Sequence, residues 1–184
     1  TITNADIRWE WYGDNDQDKL SVALFDKDMD KPIERVVQLA SGTAGNSRTF
    51  RNAESGELAG IELEGKKEFV LDEGFSKTLF TSFNISLIES EVSLSSGKVR
   101  ALQGQPEYTA NLIIGYDDVA SGQELTFLLN QSGKSISDVG LFGAPDIIFV
   151  PRLEANIVYK IDISDAMTFK AKIDNLLNAE VEYT

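Results

Sequence analysis

The strongest constraint on this chain is a period of two. In the stretch LQGQPEYTANLIIGYDDVASGQELTFLLN (102–130), Ala110, Leu112, Ile114 and Tyr116 alternate with Thr109, Asn111, Ile113 and Gly115. That is the repeat of an extended strand with one apolar side and one more polar side. An acidic, glycine-containing connection at 117–123 follows, and the alternation resumes with Leu125, Phe127 and Leu129 against Glu124, Thr126 and Asn130. The second strand returns antiparallel to the first. In a soluble sandwich the apolar sides face a second sheet; in a membrane barrel they face lipid, and the polar sides a watery lumen.

The same period runs through the rest of the chain. Ala5, Ile7, Trp9 and Trp11 alternate with Asp6, Arg8, Glu10 and Tyr12. Leu20, Val22 and Leu24 share a side, with Phe25 opposite and out of phase with an otherwise polar side. Ala59, Ile61 and Leu63 stand against Gly60, Glu62 and Glu64, and Leu79, Thr81, Phe83, Ile85 and Leu87 against Phe80, Ser82, Asn84 and Ser86. Near the end, Leu153, Ala155, Ile157, Tyr159 and Ile161 oppose Glu154, Asn156, Val158 and Lys160, and Met167, Phe169, Ala171 and Ile173 oppose Thr168, Lys170, Lys172 and Asp174. The pattern predicts an all-β chain, an antiparallel up-and-down meander of about eight strands, with a strand extension at 33–39.

The connections carry further information because they alternate in length. Those at 13–18, 71–76, 117–123 and 164–165 are short; those at 28–55, 91–106 and 132–151 are long. One rim of the sheet is trimmed and the other elaborated, as in outer-membrane barrels with short periplasmic turns and longer extracellular loops. Trp11, Tyr116 and Tyr159 sit on the apolar sides near short turns, where an interfacial aromatic girdle belongs.

Composition removes several function classes. No apolar run in the 184 residues approaches the roughly 20 needed for a spanning helix, although a spanning strand needs only about 9–11 alternating residues. A net charge of -13 repels nucleic acid phosphates. Without Cys there is neither a disulfide framework nor a thiolate site, and without His the usual general base and commonest transition-metal ligand are gone. No Ser carries a nucleophile motif, so an enzyme is not expected.

Three clusters could carry chemistry. Asp26, Asp28 and Asp30 have the spacing of the first EF-hand ligands, but Lys31 and Val37 stand where that loop needs Gly and a bidentate Glu. Like Asp14, Asp16 and Asp18, they read as solvated acids, and no metal site is expected. Glu62 and Glu64 share one side of a strand, the lumen-lining side in a barrel, with nothing to set their pKa values apart for catalysis. Arg35, Arg48, Arg51, Arg100 and Arg152 lie in or beside the long connections, leaving only Arg8 inside a strand. Guanidinium groups at such a rim suit an anionic ligand or lipopolysaccharide phosphate, against the plainer reading of ordinary loop solvation.

The runs LSVALFDKDMDKPIE (20–34), ESGELAGIELEGKKEF (54–69), FNISLIESEV (83–92), LQGQPEYTANLIIGYDD (102–118), LLNQSGKSISDVGLFGAPDI (128–147) and KAKIDNLLNAEVEYT (170–184) follow one another in an order that resembles the C-terminal barrel region of TonB-dependent outer-membrane receptors. The resemblance implies that residues 1–184 are a segment of a 22-stranded transmembrane barrel, strands fourteen to twenty-one, in the bacterial outer membrane. It further implies a plug and TonB partner outside this stretch, contact with outer-membrane lipid and lipopolysaccharide, and uptake of a ferric siderophore, cobalamin, haem or glycan, with no cofactor. Two rival readings of the alternation are a soluble β-sandwich that binds a ligand such as a glycan and a complete eight-stranded barrel with a structural role.

Overall fold

The computed structural model describes residues 1–15, 17–39, 45–94, 97 and 99–184. Eight long strands form the predicted meander: β1 (Ile2–Tyr12), β2 (Lys19–Asp30), β5 (Ser55–Val70), β6 (Lys77–Ser93), β8 (Tyr108–Asp118), β9 (Gln123–Ser132), β12 (Glu154–Ser164) and β13 (Met167–Ile173). Each pairs antiparallel with its neighbour in the order β1-β2-β5-β6-β8-β9-β12-β13. The long connections add short strands: β3 (Ile33–Leu39), β4 (Asn46–Asn52), β7 (Val99–Arg100), β10 (Ser135–Gly140), β11 (Ile147–Val150) and β14 (Glu182–Tyr183). β7 extends the meander beside β6, and the other five form a second sheet, β14-β11-β10-β3-β4. Only the strand at β3 is foreseen by the alternation; the rest of this loop sheet is not.

Register fixes what each face carries. Trp11, Leu20, Gly65, Phe83, Leu112, Leu129 and Ala155 are successive cross-strand partners. All lie on one face, which continues with Ile7, Trp9, Val22, Ile61, Leu63, Ile85, Phe127 and Ile157. Among the described residues no second sheet covers it: Ile7 is 69% exposed and Trp9 58%, values that a sandwich core would not leave. The buried apolar cluster is instead in the loop sheet, where Val36, Ile136 and Val139 meet Leu141 and Ile148.

The same row measures the strand tilt. Trp11 stands one residue from the short-turn end of β1, whereas Ala155 stands nine residues from that end of β12. At about 3.3 Å per residue and about 4.8 Å per strand, this stagger corresponds to a tilt of roughly 40°. Transmembrane barrels have strands inclined by that amount. On β6 the apolar run from Leu79 to Leu87 then rises roughly 20 Å, close to the lipid-facing band of such barrels.

Three glycines accommodate aromatic rings from the neighbouring strand, two of which, Phe25 and Phe80, fall on the polar side. Phe25 lies over its register partner Gly60, Phe83 over Gly65 and Phe80 over Gly115, each ring filling the space a β-carbon would take. Phe25 therefore faces the polar side without exposing its whole ring, which explains its irregular phase in the sequence. The short turns are held by acidic side chains. At 13–18, the buried Asp18 accepts hydrogen bonds from the Lys67 ammonium and, at 3.0 Å, from the Glu68 amide. At 71–76, Asp72 accepts from the Ser76 hydroxyl at 2.7 Å and the Lys77 amide at 2.8 Å. These bonds hold both carboxyls below the usual carboxylate range, Asp18 chiefly through Lys67 and Asp72 chiefly through Ser76.

Candidate functional site

The second face of the meander is polar, and one register row on it is polar across seven strands: Glu10, Ser21, Glu64, Asn84, Asn111, Asn130 and Glu154. Strand alternation puts these side chains on a common face, and antiparallel pairing puts them shoulder to shoulder. Asn130 donates to the Asn111 carbonyl, Asn111 to Asn84 at 3.4 Å, and Asn84 to the Glu64 carboxylate at 3.4 Å. Arg8 donates to Glu64 and, at 2.7 Å, to Ser21. The row is thus a directed ladder of amides that ends on an ion-paired carboxylate.

A cavity of about 410 Å³ opens at the upper end of this row, where β11 and the C-terminal segment lean over the sheet. Thr109, Asn111, Asn130, Arg152 and Glu154 supply its polar wall and Phe149 its apolar one. Arg152 donates to Glu154 through Nη2 at 2.6 Å and Nε at 3.0 Å, so the two charges compensate each other within the wall.

The other four arginines singled out in the sequence are fastened within the loop region. Arg35 on β3 bonds the buried Asp138 at 2.5 Å, and Arg48 on β4 reaches the same carboxylate at 3.5 Å. Arg100 on β7 pairs with the buried Glu34 at 2.5 Å. Arg51 on β4 lies over the Phe142 ring. These four sit in short strands rather than in irregular loop; the sequence foresees only β3, which carries Arg35, because β4 has no apolar side and β7 is two residues long. Only Arg152 lines the large cavity.

The acidic clusters fall elsewhere. Asp26, Asp28 and Asp30 lie exposed along the loop-rim end of β2 on the apolar-belt side, where Asp28, Glu57 and Glu91 form a direct cross-strand row. Asp16 lies outside the described residues. Among the described residues no group of three or more metal-ligating side chains comes together. Glu62 and Glu64 both face the polar side, Glu64 in the ladder and Glu62 beside it.

Residues 1–176 match the family model described as TonB dependent receptor-like, beta-barrel. The chain belongs to this family. No curated protein and no solved structure matches it. As a TonB-dependent receptor barrel it is an outer-membrane protein, and the family consists of receptors and transporters rather than enzymes. In barrels of this kind an apolar belt faces outward and a polar face lines the lumen, and the two faces of this meander have that division. The ladder residues were missed in the sequence because each Asn is unremarkable alone. Their signal is positional, and it emerges only when the six hairpin registers are aligned.

Proposed function

We propose that this chain forms eight strands of the 22-stranded wall of a TonB-energised uptake receptor. Both outer strands of the meander, β1 and β13, keep one unpaired edge among the described residues, which suits a wall that continues in sequence outside residues 1–184. The observation that carries the reading is the pairing of a tilted, exposed apolar belt with a polar opposite face and unequal rims. In this reading the longer connections capture a scarce ligand, the siderophore, cobalamin, haem or glycan class, on the extracellular rim. A plug outside these residues couples the site to TonB, and the apolar belt meets outer-membrane lipid and lipopolysaccharide. Of the five arginines, Arg152 contacts ligand, while Arg35, Arg48, Arg51 and Arg100 hold the loop sheet in shape. The chain has no enzymatic role.

Trp9 and Trp11, the only tryptophans in residues 1–184, supply the test because both lie on the apolar belt, with any tryptophan elsewhere in the receptor replaced by phenylalanine. The full-length receptor is reconstituted with lipids brominated at different acyl depths, and fluorescence quenching is recorded. Strong quenching, greatest for shallow bromines at Trp11, is expected. Unquenched emission from a β-rich protein that is soluble in plain buffer would overturn the membrane reading in favour of a soluble binding module.

A further inference from the structure

The loop sheet ends on β4, and the far edge of that strand is open among the described residues. Which backbone groups it presents follows from the bonds of β3 on its other side. The Val37 carbonyl accepts from the Leu141 amide at 2.9 Å, and Arg35 exchanges two bonds with the Gln103 side-chain amide, its N–H donating at 2.7 Å and its C=O accepting at 2.8 Å. Gln103 also donates to the Ser137 carbonyl at 2.7 Å, so both β3 residues turn their backbone groups to the β10 side. In an antiparallel pair, residues directly opposite one another either exchange both bonds or both point away. Arg48 and Phe50, the partners of Val37 and Arg35, therefore aim their N–H and C=O groups out of the open edge.

An open edge is a template for another strand, and proteins blunt it with short length, proline or charge. β4 has seven residues and no proline. Arg48 and Arg51 supply charge, yet Phe50 between them is 70% exposed, and Ile33 on the same face of the β3–β4 hairpin is 72% exposed. Bare apolar side chains beside unpaired backbone groups attract a strand, where charge alone would deter one.

Charge decides which strand. Arg48 stands 3.5 Å from Asp138, which Arg35 already holds at 2.5 Å. Arg51 has no carboxylate partner among the described residues: Glu34, opposite it on β3, pairs with Arg100, and the Arg51 guanidinium lies 5.6 Å from the centre of the Phe142 ring. A ring face braces a guanidinium while leaving the N–H donors at its rim available. β4 thus carries two cations and no acid in a chain whose net charge is -13. Two copies of β4 paired edge to edge would crowd four arginines onto adjacent strands with no acid among them, whereas an acidic strand brings each its counter-ion.

We propose that β4 is a docking edge for a different protein, which adds an acidic extended segment to the loop sheet as its sixth strand. An antiparallel register sets the pattern of that segment, with acids opposite Arg51 and Arg48 and an apolar residue opposite Phe50. The pairing goes beyond the receptor reading and rests on it only for placing the edge outside the cell.

The test uses the full-length receptor in detergent and the capped, fluorescein-labelled hexapeptide Thr-Glu-Val-Thr-Glu-Thr, which carries this pattern when it runs antiparallel to residues 47–52. Binding is read by anisotropy, and amide exchange by mass spectrometry with electron-transfer fragmentation. In the receptor alone the Arg48 and Phe50 amides are expected to exchange rapidly, and saturating peptide should slow them by about tenfold or more. Exchanging both glutamates of the peptide for lysine should weaken binding about tenfold. N-methylation at its valine and second glutamate, which removes the strand bonds and keeps the charges, should cost about as much. Arg51→Gln should weaken the original peptide about threefold. Equal binding of the lysine or N-methylated peptide, or no binding of the original one, overturns the proposal. So does protection of the two amides before peptide is added, which would mean that the receptor covers its own edge, and so does protection that grows with receptor concentration, which would make the occupant a second copy. Brominated-lipid quenching of the reconstituted receptor is recorded in parallel. Failure of the peptide with quenching intact defeats the docking edge alone, whereas loss of quenching defeats the membrane reading.

Discussion

Phe80 lies across Gly115, its direct register partner on the neighbouring strand, so closely that a β-carbon at position 115 would come within 2.1 Å of the ring. The contact sits on the lumenal face, where an uncovered aromatic ring would otherwise meet water. Gly115→Ala is expected to drive the ring off its site and destabilise the wall by about 1–3 kcal/mol, the cost of overpacking. Urea unfolding of the receptor in lipid, followed by tryptophan emission, measures it. Combining Gly115→Ala with Phe80→Leu should recover part of the loss, and no recovery would mean that the backbone rather than the ring sets the cost.

A like-charge row marks the upper border of the apolar belt. Asp28, Glu57 and Glu91 stand directly opposite one another on three adjacent strands, all exposed. Glu57→Gln should stabilise the detergent-solubilised receptor by about 0.2–1 kcal/mol through relief of cross-strand repulsion. The gain should shrink towards zero near 1 M salt, where the Debye length is about 3 Å. A gain that persists at high salt would point to something other than charge.

The turn at 13–18 has a defined acid response. The Lys67 ammonium first, and the Glu68 amide second, hold the Asp18 carboxyl below the usual carboxylate range. Because the folded pKa is lower than the unfolded value of about 3.9, the stabilisation is fully present above that value and is lost as pH falls through the lower, folded one. Hydrogen exchange at the Glu68 amide should thus show constant protection from neutrality to about pH 4 and declining protection below it. In Asp18→Asn the protection should be weaker at neutral pH and lack this titration. Loss of protection in the unaltered protein well above pH 4 would contradict the assignment.

Beneath the loop sheet, Arg100 and Glu34 form an ion pair in which Glu34 is only 4% exposed. Arg100→Met leaves that carboxylate buried without its partner, at a cost of roughly 3 kcal/mol or more. The effect should appear as faster limited proteolysis within residues 33–52, with the membrane wall intact. The double variant Arg100→Met, Glu34→Leu should restore resistance, since a buried pair exchanged for apolar groups of similar volume is often neutral.

Alternation alone located all eight strands of the wall, because each has enough residues to set a phase and its partner is the next strand in sequence. Apart from β3, the loop sheet stayed hidden. β10 pairs with β3 in parallel through Val139–Val36 and Gly140–Val37, across roughly a hundred residues, and β4 reads NSRTFRN with no apolar side. The site was legible by residue type but not by position. Charge drew attention to five arginines, of which only Arg152 lines the rim cavity. Asn84, Asn111 and Asn130 gain their meaning from register, which no single strand contains.

That difference in connectivity also sets an order of events. Every strand of the wall pairs with its neighbour through a turn or a local loop, so the wall can zip up hairpin by hairpin with little loop-closure entropy at each step. The loop sheet has to wait until β10 finds β3. The rim is therefore the last part of this segment to form and the first that can come apart, and it can open and reclose while the zipped wall below stays shut.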